Sequence, residues 1–80
     1  MTEPKFLSRL GARIKEIRLQ KEISQHELAS RCNFEKASMS RIESGKTNVT
    51  VLTLRKISNA LEVDMSDFFV YDPAEAAVSK

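Results

Sequence analysis

The 80-residue sequence predicts a compact all-α domain of five helices. Two glycines and two prolines are too few for the many tight turns of an all-β fold. Apolar residues make up 41% of the chain, which is enough for one small core, and they recur at helical spacing. Interruptions of that spacing divide the chain into its helices.

The first helix is expected over residues 5 to about 21. Leu10, Ile14 and Ile17 recur four and three residues apart, so they share one face of this helix. Gly11 lies inside it and costs about 1 kcal/mol relative to Ala. Close packing against another helix, which a side chain would obstruct, can compensate for that cost.

Residues 24–45 predict two short helices joined by a tight turn. Ser24–Glu27 matches the S-x-x-E capping box, in which each side chain binds a backbone N–H of the other residue. Asn33 suits a left-handed turn conformation. Glu35 marks the start of the second helix, where an acidic side chain favours the helix dipole. Gly45 is expected to end that helix.

The remainder of the sequence predicts a scaffold around this pair. Thr50 can cap a fourth helix, about 51–61, and Asp64 with Asp67 can start a short fifth helix through Phe69. The inner stripe of the fourth helix is predicted to be Val51, Leu54, Ile57 and Leu61, with Leu52 off that stripe. We expect one domain over residues 1–71 and a frayed or disordered tail at 72–80.

Charge is unevenly distributed along the chain. Residues 1–23 carry six basic and three acidic residues, whereas residues 49–80 carry three basic and five acidic ones. This suits a domain that turns one face toward a polyanion, although many ordinary domains show similar asymmetry.

Several classes of protein are disfavoured by composition. A lone Cys32 excludes an internal disulfide and fits a reducing compartment, and no apolar run approaches the length of a membrane span. We therefore expect a soluble cytoplasmic protein with no membrane partner. His26 has no second His or Cys at ligand spacing, so no metal site is predicted. The sequence suggests no enzyme, cofactor or small-molecule ligand.

Spacing alone leaves open a generic helical bundle and a helix-turn-helix, but the residues themselves carry a resemblance. The matching segments are LGARIKEIR from residue 10, SQHELA from 24, MSRIESGK from 39, LRKI from 54 and ALEV from 60. They resemble the lambda-repressor/Cro-like helix-turn-helix family of bacterial and phage regulators, also called the xenobiotic-response-element family. The resemblance covers about residues 7–70. It implies a compact five-helix lambda-repressor-like domain with its helix-turn-helix at helices two and three.

The resemblance implies a sequence-specific, double-stranded-DNA-binding transcriptional regulator that places the second helix of the motif in the major groove. The implied base-contacting residues are Lys36, Ala37, Ser38 and Arg41. The implied phosphate-contacting residues are Gln25, Ser40, Lys46, Thr47 and Asn48. Arg18 and Glu43 match a family ion pair that links helix one to the recognition helix. Glu35 departs from the family pattern, which usually has Ser or Thr there.

One such domain reads only a few base pairs, so a homodimer on a roughly palindromic operator is expected. The candidate dimer interface consists of Leu52, Phe69, Val70 and Tyr71. The alternative is that these residues close the core, and for Phe68 the core role is preferred. Within the family, chains this short resemble restriction–modification controller proteins and small phage-type repressors. The alternative function is an antitoxin or protein-interaction module in which DNA binding is secondary.

Overall fold

Four α-helices and one 3-10 helix form the described part of the chain, residues 3–70, in a computed structural model. The helices are α1 (Glu3–Gln20), α2 (Gln25–Arg31), α3 (Lys36–Glu43) and α4 (Val51–Leu61), followed by the 3-10 helix (Met65–Phe69). The all-α prediction is confirmed, and the fifth predicted helix is a 3-10 helix. Tyr71, the domain boundary at 71 and the tail at 72–80 lie outside the described residues.

Local side-chain signals fix where the helices begin. The hydroxyl of Thr50 accepts a hydrogen bond from the backbone N–H of Thr53 at 3.1 Å, which caps α4 as the sequence predicts. Ser24 likewise accepts from the N–H of Glu27 at 3.0 Å. The second hydrogen bond of the predicted capping box, from the backbone N–H of Ser24 to the Glu27 carboxylate, does not form, so this part of the prediction is wrong. The Glu27 carboxylate instead accepts a hydrogen bond from Arg31, one turn later, at 2.7 Å.

Left-handed residues follow all four α-helices, and after α3 that residue is Gly45, with a φ angle of 75°, as the sequence predicts. Glu22, Asn33 and Glu62 have φ angles of 57°, 62° and 58°, and they lie after α1, α2 and α4 respectively. This conformation ends a helix abruptly and turns the chain back on itself. Short connections of this kind hold neighbouring helices against each other.

One hydrophobic core joins all five helices. Phe68 of the 3-10 helix is fully buried, which agrees with its expected core role. The other buried apolar residues are Leu10, Ile14, Ile17, Ile23, Leu28, Ala29, Cys32, Met39, Ile42, Leu54, Ile57 and Leu61. Burial raises the pKa of the Cys32 thiol, with the nearby Lys56 acting in the opposite direction, so the thiol stays a protonated core group.

The predicted inner stripe of α4 is wrong at one position. Leu54, Ile57 and Leu61 are buried, but the side chain of Val51 is 71% exposed. Val49, just before the helix, packs against the core and closes its edge there. The first turn of α4 consequently points Val51 and Leu52 outward.

Helix α3 lies directly against α1 at Gly11. A Cβ atom added to Gly11 would overlap the backbone carbonyl oxygen of Ile42 and come within 2.5 Å of that of Glu43. Those carbonyls belong to the last turn of α3 and are backbone atoms, which cannot move aside as a flexible side chain can. The sequence-level expectation of close helix packing at Gly11 therefore has a specific structural cause.

The close approach predicts the sign of a stability change. Gly11→Ala in an unobstructed helix should stabilise the fold by about 1 kcal/mol. Here the forced separation of α1 and α3 should outweigh that gain and lower the free energy of unfolding by about 1–3 kcal/mol. Urea denaturation of the two proteins measures the difference. A stability equal to or above that of the wild type would contradict the packing argument.

Candidate nucleic-acid interface

Helix α3 has one buried and one open face. Met39, Ile42 and Glu43 are buried and therefore face the core. At about 100° per residue, the opposite side of α3 presents a second set of side chains. These are Ala37, Ser40, Arg41 and Ser44, all of which are exposed.

The two other predicted contact residues of α3 flank this outward face. Lys36 is exposed at the start of α3, on the side toward α2. Ser38 is exposed on the opposite side, where it borders the loop before α4. The structure thus brings Ala37, Ser40 and Arg41 together on one surface and sets Lys36 and Ser38 at its two margins.

The turn between α2 and α3 is tightly held. Asn33 is left-handed, and the backbone N–H of Phe34 donates to the carbonyl of Ala29 at 2.8 Å. The Cys32 N–H donates to the carbonyl of Leu28 at 3.1 Å, so the last turn of α2 runs straight into the connection. These backbone bonds fix the angle between the two helices of the motif.

A buried ion pair anchors the end of α3 to α1. The Arg18 guanidinium donates twice to the Glu43 carboxylate, from Nε to Oε2 at 2.7 Å and from Nη2 to Oε1 at 3.0 Å. Its third donor, Nη1, reaches the carbonyl of Ile23 at 2.8 Å. Both charged side chains are almost completely buried. Such a two-point pair fixes orientation as well as distance, so it sets the direction of α3 relative to α1.

The Glu43 carboxylate has a further partner that the sequence analysis missed. The Gln25 carboxamide, at the first residue of α2, donates from Nε2 to Oε1 of Glu43 at 3.1 Å. Gln25 and Glu43 are 18 residues apart, so no local spacing in the sequence pairs them. The bond ties the first turn of α2, which carries a predicted phosphate contact, to the same anchor as α3.

The loop after α3 forms an open concavity of about 160 Å³ with the neighbouring helix ends. Arg41 and Ser38 of α3 border it on one side, and Thr47 and Asn48 of the loop border it on the other. Lys46 is exposed beside it, and its backbone N–H donates to the carbonyl of Arg41 at 2.9 Å. Predicted base-contacting and phosphate-contacting residues therefore lie side by side here.

Electrostatics across this surface are asymmetric. Lys36, Arg41 and Lys46 are exposed and form no ion pair with any residue in the range 3–70. Their charges are thus available to an anion approaching from outside. Glu35, at the N-cap of α3, is the exposed acidic residue nearest to them along the chain, since the Glu43 carboxylate is buried against Arg18.

Other kinds of site find little support in the described residues. Between residues 3 and 70, no group of three or more His, Cys, Asp or Glu side chains is arranged to hold a metal ion. None of the helices in that range is both long enough and apolar enough to cross a membrane.

Comparison with known proteins gives consistent relatives. The sequence profile of the helix-turn-helix family matches residues 14–68. The control protein C.MunI of Mycoplasma sp is 36% identical over 62 residues, which cover 76% of this chain and 84% of the relative. The control protein C.BamHI of Bacillus amyloliquefaciens is 40% identical over 58 residues, which cover 71% of this chain and 72% of the relative.

The fold also matches a solved structure. The restriction-modification controller protein C.AhdI of Aeromonas hydrophila superimposes with a TM-score of 0.79 at 28% identity. The superposition covers 81% of this chain and 98% of the C.AhdI chain.

The buried anchor makes a quantitative prediction. Glu43→Gln leaves the buried Arg18 guanidinium without its counter-charge and should lower the free energy of unfolding by about 3–5 kcal/mol. The matched control is Glu27→Gln, which breaks the exposed pair with Arg31 and should cost less than about 1 kcal/mol. Chemical denaturation of both variants measures the two changes. Equal changes in the free energy of unfolding would show that the buried Arg18–Glu43 pair stabilises the fold no more than the exposed pair does.

Proposed function

Because the chain belongs to the helix-turn-helix family, it is a DNA-binding transcriptional regulator, and we propose that it binds a roughly palindromic operator as a homodimer. One observation carries the proposal. The exposed face of α3, held in place by the Arg18–Glu43 pair, presents small polar side chains and the cation Arg41, which forms no ion pair within residues 3–70. A helix of this kind fits the major groove of B-form DNA.

In the proposed complex, α3 reads bases. Arg41 is the side chain best suited to donate two hydrogen bonds to guanine, and Lys36 reaches either a guanine or a phosphate. Ala37 lies one turn before Arg41 on the same face, where its methyl group can contact a thymine methyl. Ser38, at the margin of α3, completes the proposed base-contacting set.

The flanking elements hold the DNA backbone. Lys46, Thr47 and Asn48 form the loop beside the outward face of α3, and we assign them to phosphates. Ser40 and Gln25 complete the proposed phosphate contacts. The Gln25 carboxamide is already held by Glu43, so this contact would be made by a preorganised residue.

A homodimer would supply the second half-site. Leu52 is 76% exposed beside Val51 on the first turn of α4, and Phe69 and Val70 are exposed at the end of the 3-10 helix. The ring of Phe69 stacks on that of Phe6, with centroids 6.3 Å apart, so this end of the molecule carries several apolar side chains in solvent. In a two-fold contact both copies use the same patch, so the dimer has the symmetry that a palindromic operator requires. Tyr71, the fourth candidate, lies outside the described residues.

The relatives suggest the biological setting. C.AhdI is a restriction-modification controller protein, and C.MunI and C.BamHI are control proteins. Their similarity supports a controller-like role in which this chain regulates transcription in the cytoplasm and performs no catalysis.

The proposal is tested by selecting binding sites from random duplexes and measuring the mass of the selected complex. The expected result is one shared, roughly palindromic site with two protein chains bound, and half-sites about one helical turn apart. Failure to recover any shared site would refute sequence-specific binding. A shared site bound by one chain would refute the homodimer alone.

Two alanine variants should separate base reading from phosphate binding. Arg41→Ala should relax the preference at one base position of each half-site, at a cost of about 1–3 kcal/mol there. Lys46→Ala should weaken binding to every sequence alike. It should also reduce the slope of log K against log salt by about 0.9 for each phosphate that is no longer neutralised, or about 2 per dimer.

Titrations of operator and scrambled duplexes at several salt concentrations measure both effects. Lys15→Ala is the control, because Lys15 is an exposed cation on α1. A uniform weakening with Arg41→Ala, or a base-specific weakening with Lys46→Ala, would contradict the assigned roles.

The proposed interface of Leu52, Phe69 and Val70 predicts the effect of a charge on self-association. Leu52→Glu places a carboxylate in the proposed interface and should raise the dimer dissociation constant at least about tenfold, since desolvating an unpaired charge is unfavourable. Leu19→Glu is the control, because Leu19 is 56% exposed on α1 and is not one of the proposed interface residues. Sedimentation across a concentration series measures both constants. An unchanged dimer in Leu52→Glu would move the interface elsewhere.

A further inference from the structure

Glu35 carries a negative charge on a surface that we propose faces a polyanion. It is exposed immediately before Lys36, at the end of α3 that would enter the major groove first. A carboxylate near DNA phosphates weakens binding to every sequence by repulsion. Any benefit of Glu35 to DNA binding must therefore come from selectivity between sequences.

The Glu35 side chain forms no hydrogen bond and no ion pair within the described residues that would give it a structural role. Its backbone occupies the N-cap position of α3, but its side chain makes no capping hydrogen bond. Within residues 3–70 its carboxylate also forms no ion pair. By contrast, Ser24 and Thr50, the extended N-cap residues of α2 and α4, do use their side chains as caps.

The backbone that carries this free side chain is fixed. The carbonyl of Glu35 accepts hydrogen bonds from the N–H groups of Ser38 at 3.0 Å and Met39 at 3.2 Å. The preceding residue, Phe34, is held by its bond to Ala29 and lies beneath the ammonium of Lys56. A fixed Cα with an uncommitted carboxylate is the arrangement that a base-reading side chain needs, because little ordering remains to be done on binding.

The surroundings lessen the repulsion that Glu35 would otherwise meet. It borders an open concavity of about 370 Å³ between α2 and α3, together with His26 and the cationic Lys36. The free N–H groups of the first turn of α3 also favour a negative side chain at this position. The carboxylate can therefore sit at a groove edge next to a local positive field.

Hydrogen-bond chemistry then limits which bases the Glu35 carboxylate can recognise. An ionised carboxylate only accepts, so it needs an exocyclic amino group in the major groove. The N6 amino group of adenine lies between two acceptors, its own N7 and the O4 of thymine, which repel a carboxylate. The N4 amino group of cytosine has one acceptor beside it, the O6 of guanine, and a C–H on its other side.

We propose that Glu35 is a specificity-determining residue that selects a cytosine in each half-site by accepting a hydrogen bond from its N4 amino group. This inference rests on the proposed function, since it assumes that α3 enters the major groove. In this proposal Glu35 increases the selectivity between DNA sequences and lowers the affinity for DNA in general.

The test compares the wild type with Glu35→Gln by duplex selection, followed by competition titrations. The wild type should select a cytosine at one position of each half-site and lose affinity about 5- to 100-fold when thymine replaces it. Glu35→Gln should reduce that ratio to about threefold or less, because a carboxamide can also donate to O4 of thymine. The variant should at the same time bind all duplexes more tightly, since a negative charge is gone.

Two controls make the result specific. Glu62→Gln removes the same charge from the exposed end of α4 and should leave every base preference unchanged. A cytosine analogue that lacks the N4 amino group should weaken wild-type binding as thymine does, and should leave Glu35→Gln nearly unaffected. Thermal unfolding of Glu35→Gln should remain cooperative, with a midpoint at most slightly below that of the wild type, because the side chain makes no capping bond and only its interaction with the helix dipole is lost.

The outcomes separate this inference from the proposed function. If the wild type selects no shared site, the proposed function fails and the role of Glu35 fails with it. If the wild type selects a site and Glu35→Gln keeps every base preference while only tightening binding, the role of Glu35 alone is overturned. Selection of adenine at the position that responds to Glu35→Gln would overturn the assignment to cytosine.

Discussion

The buried pair between Arg18 and Glu43 is the interaction on which the proposed DNA-facing surface depends. Helix α3 has only eight residues and would be marginal in isolation. Its direction is set by two parallel hydrogen bonds to a guanidinium that is itself held by the carbonyl of Ile23. Because the Gln25 carboxamide shares the same carboxylate, one group fixes the recognition helix and the start of the helix before it.

The pair can form only because the backbones of α1 and α3 come close together. Gly11 permits that approach, since any side chain there would meet the carbonyls of Ile42 and Glu43. Elsewhere on α1, Arg13 donates to the carbonyl of Asp67 at 2.8 Å and so joins the 3-10 helix to the same scaffold. Helix α1 is therefore the element against which both the motif and the end of the described chain are positioned.

General affinity for DNA and selectivity between sequences place different demands on this surface. The cations Lys36, Arg41 and Lys46 are exposed and unpaired within residues 3–70, which suits attraction to any DNA. Selectivity requires side chains whose approach to the wrong base is unfavourable. In our proposals, Arg41 meets this need as a donor and Glu35 as an acceptor, one turn or more apart on a helix with a fixed direction.

The sequence by itself determined the features that depend on neighbours along the chain. Helical periodicity, the Thr50 cap, the left-handed Asn33 and the Gly11 contact were all predictable, because spacing and backbone preference are local properties. The tertiary structure decided what depends on distant residues. Val51 is exposed because Val49 closes the core edge, and the Glu27 carboxylate turns to Arg31 instead of completing a capping box. The Gln25 carboxamide binds Glu43, and the Glu35 side chain has no hydrogen-bond or ion-pair partner among the described residues. Both follow from how separate helices pack, which no local spacing in the sequence encodes.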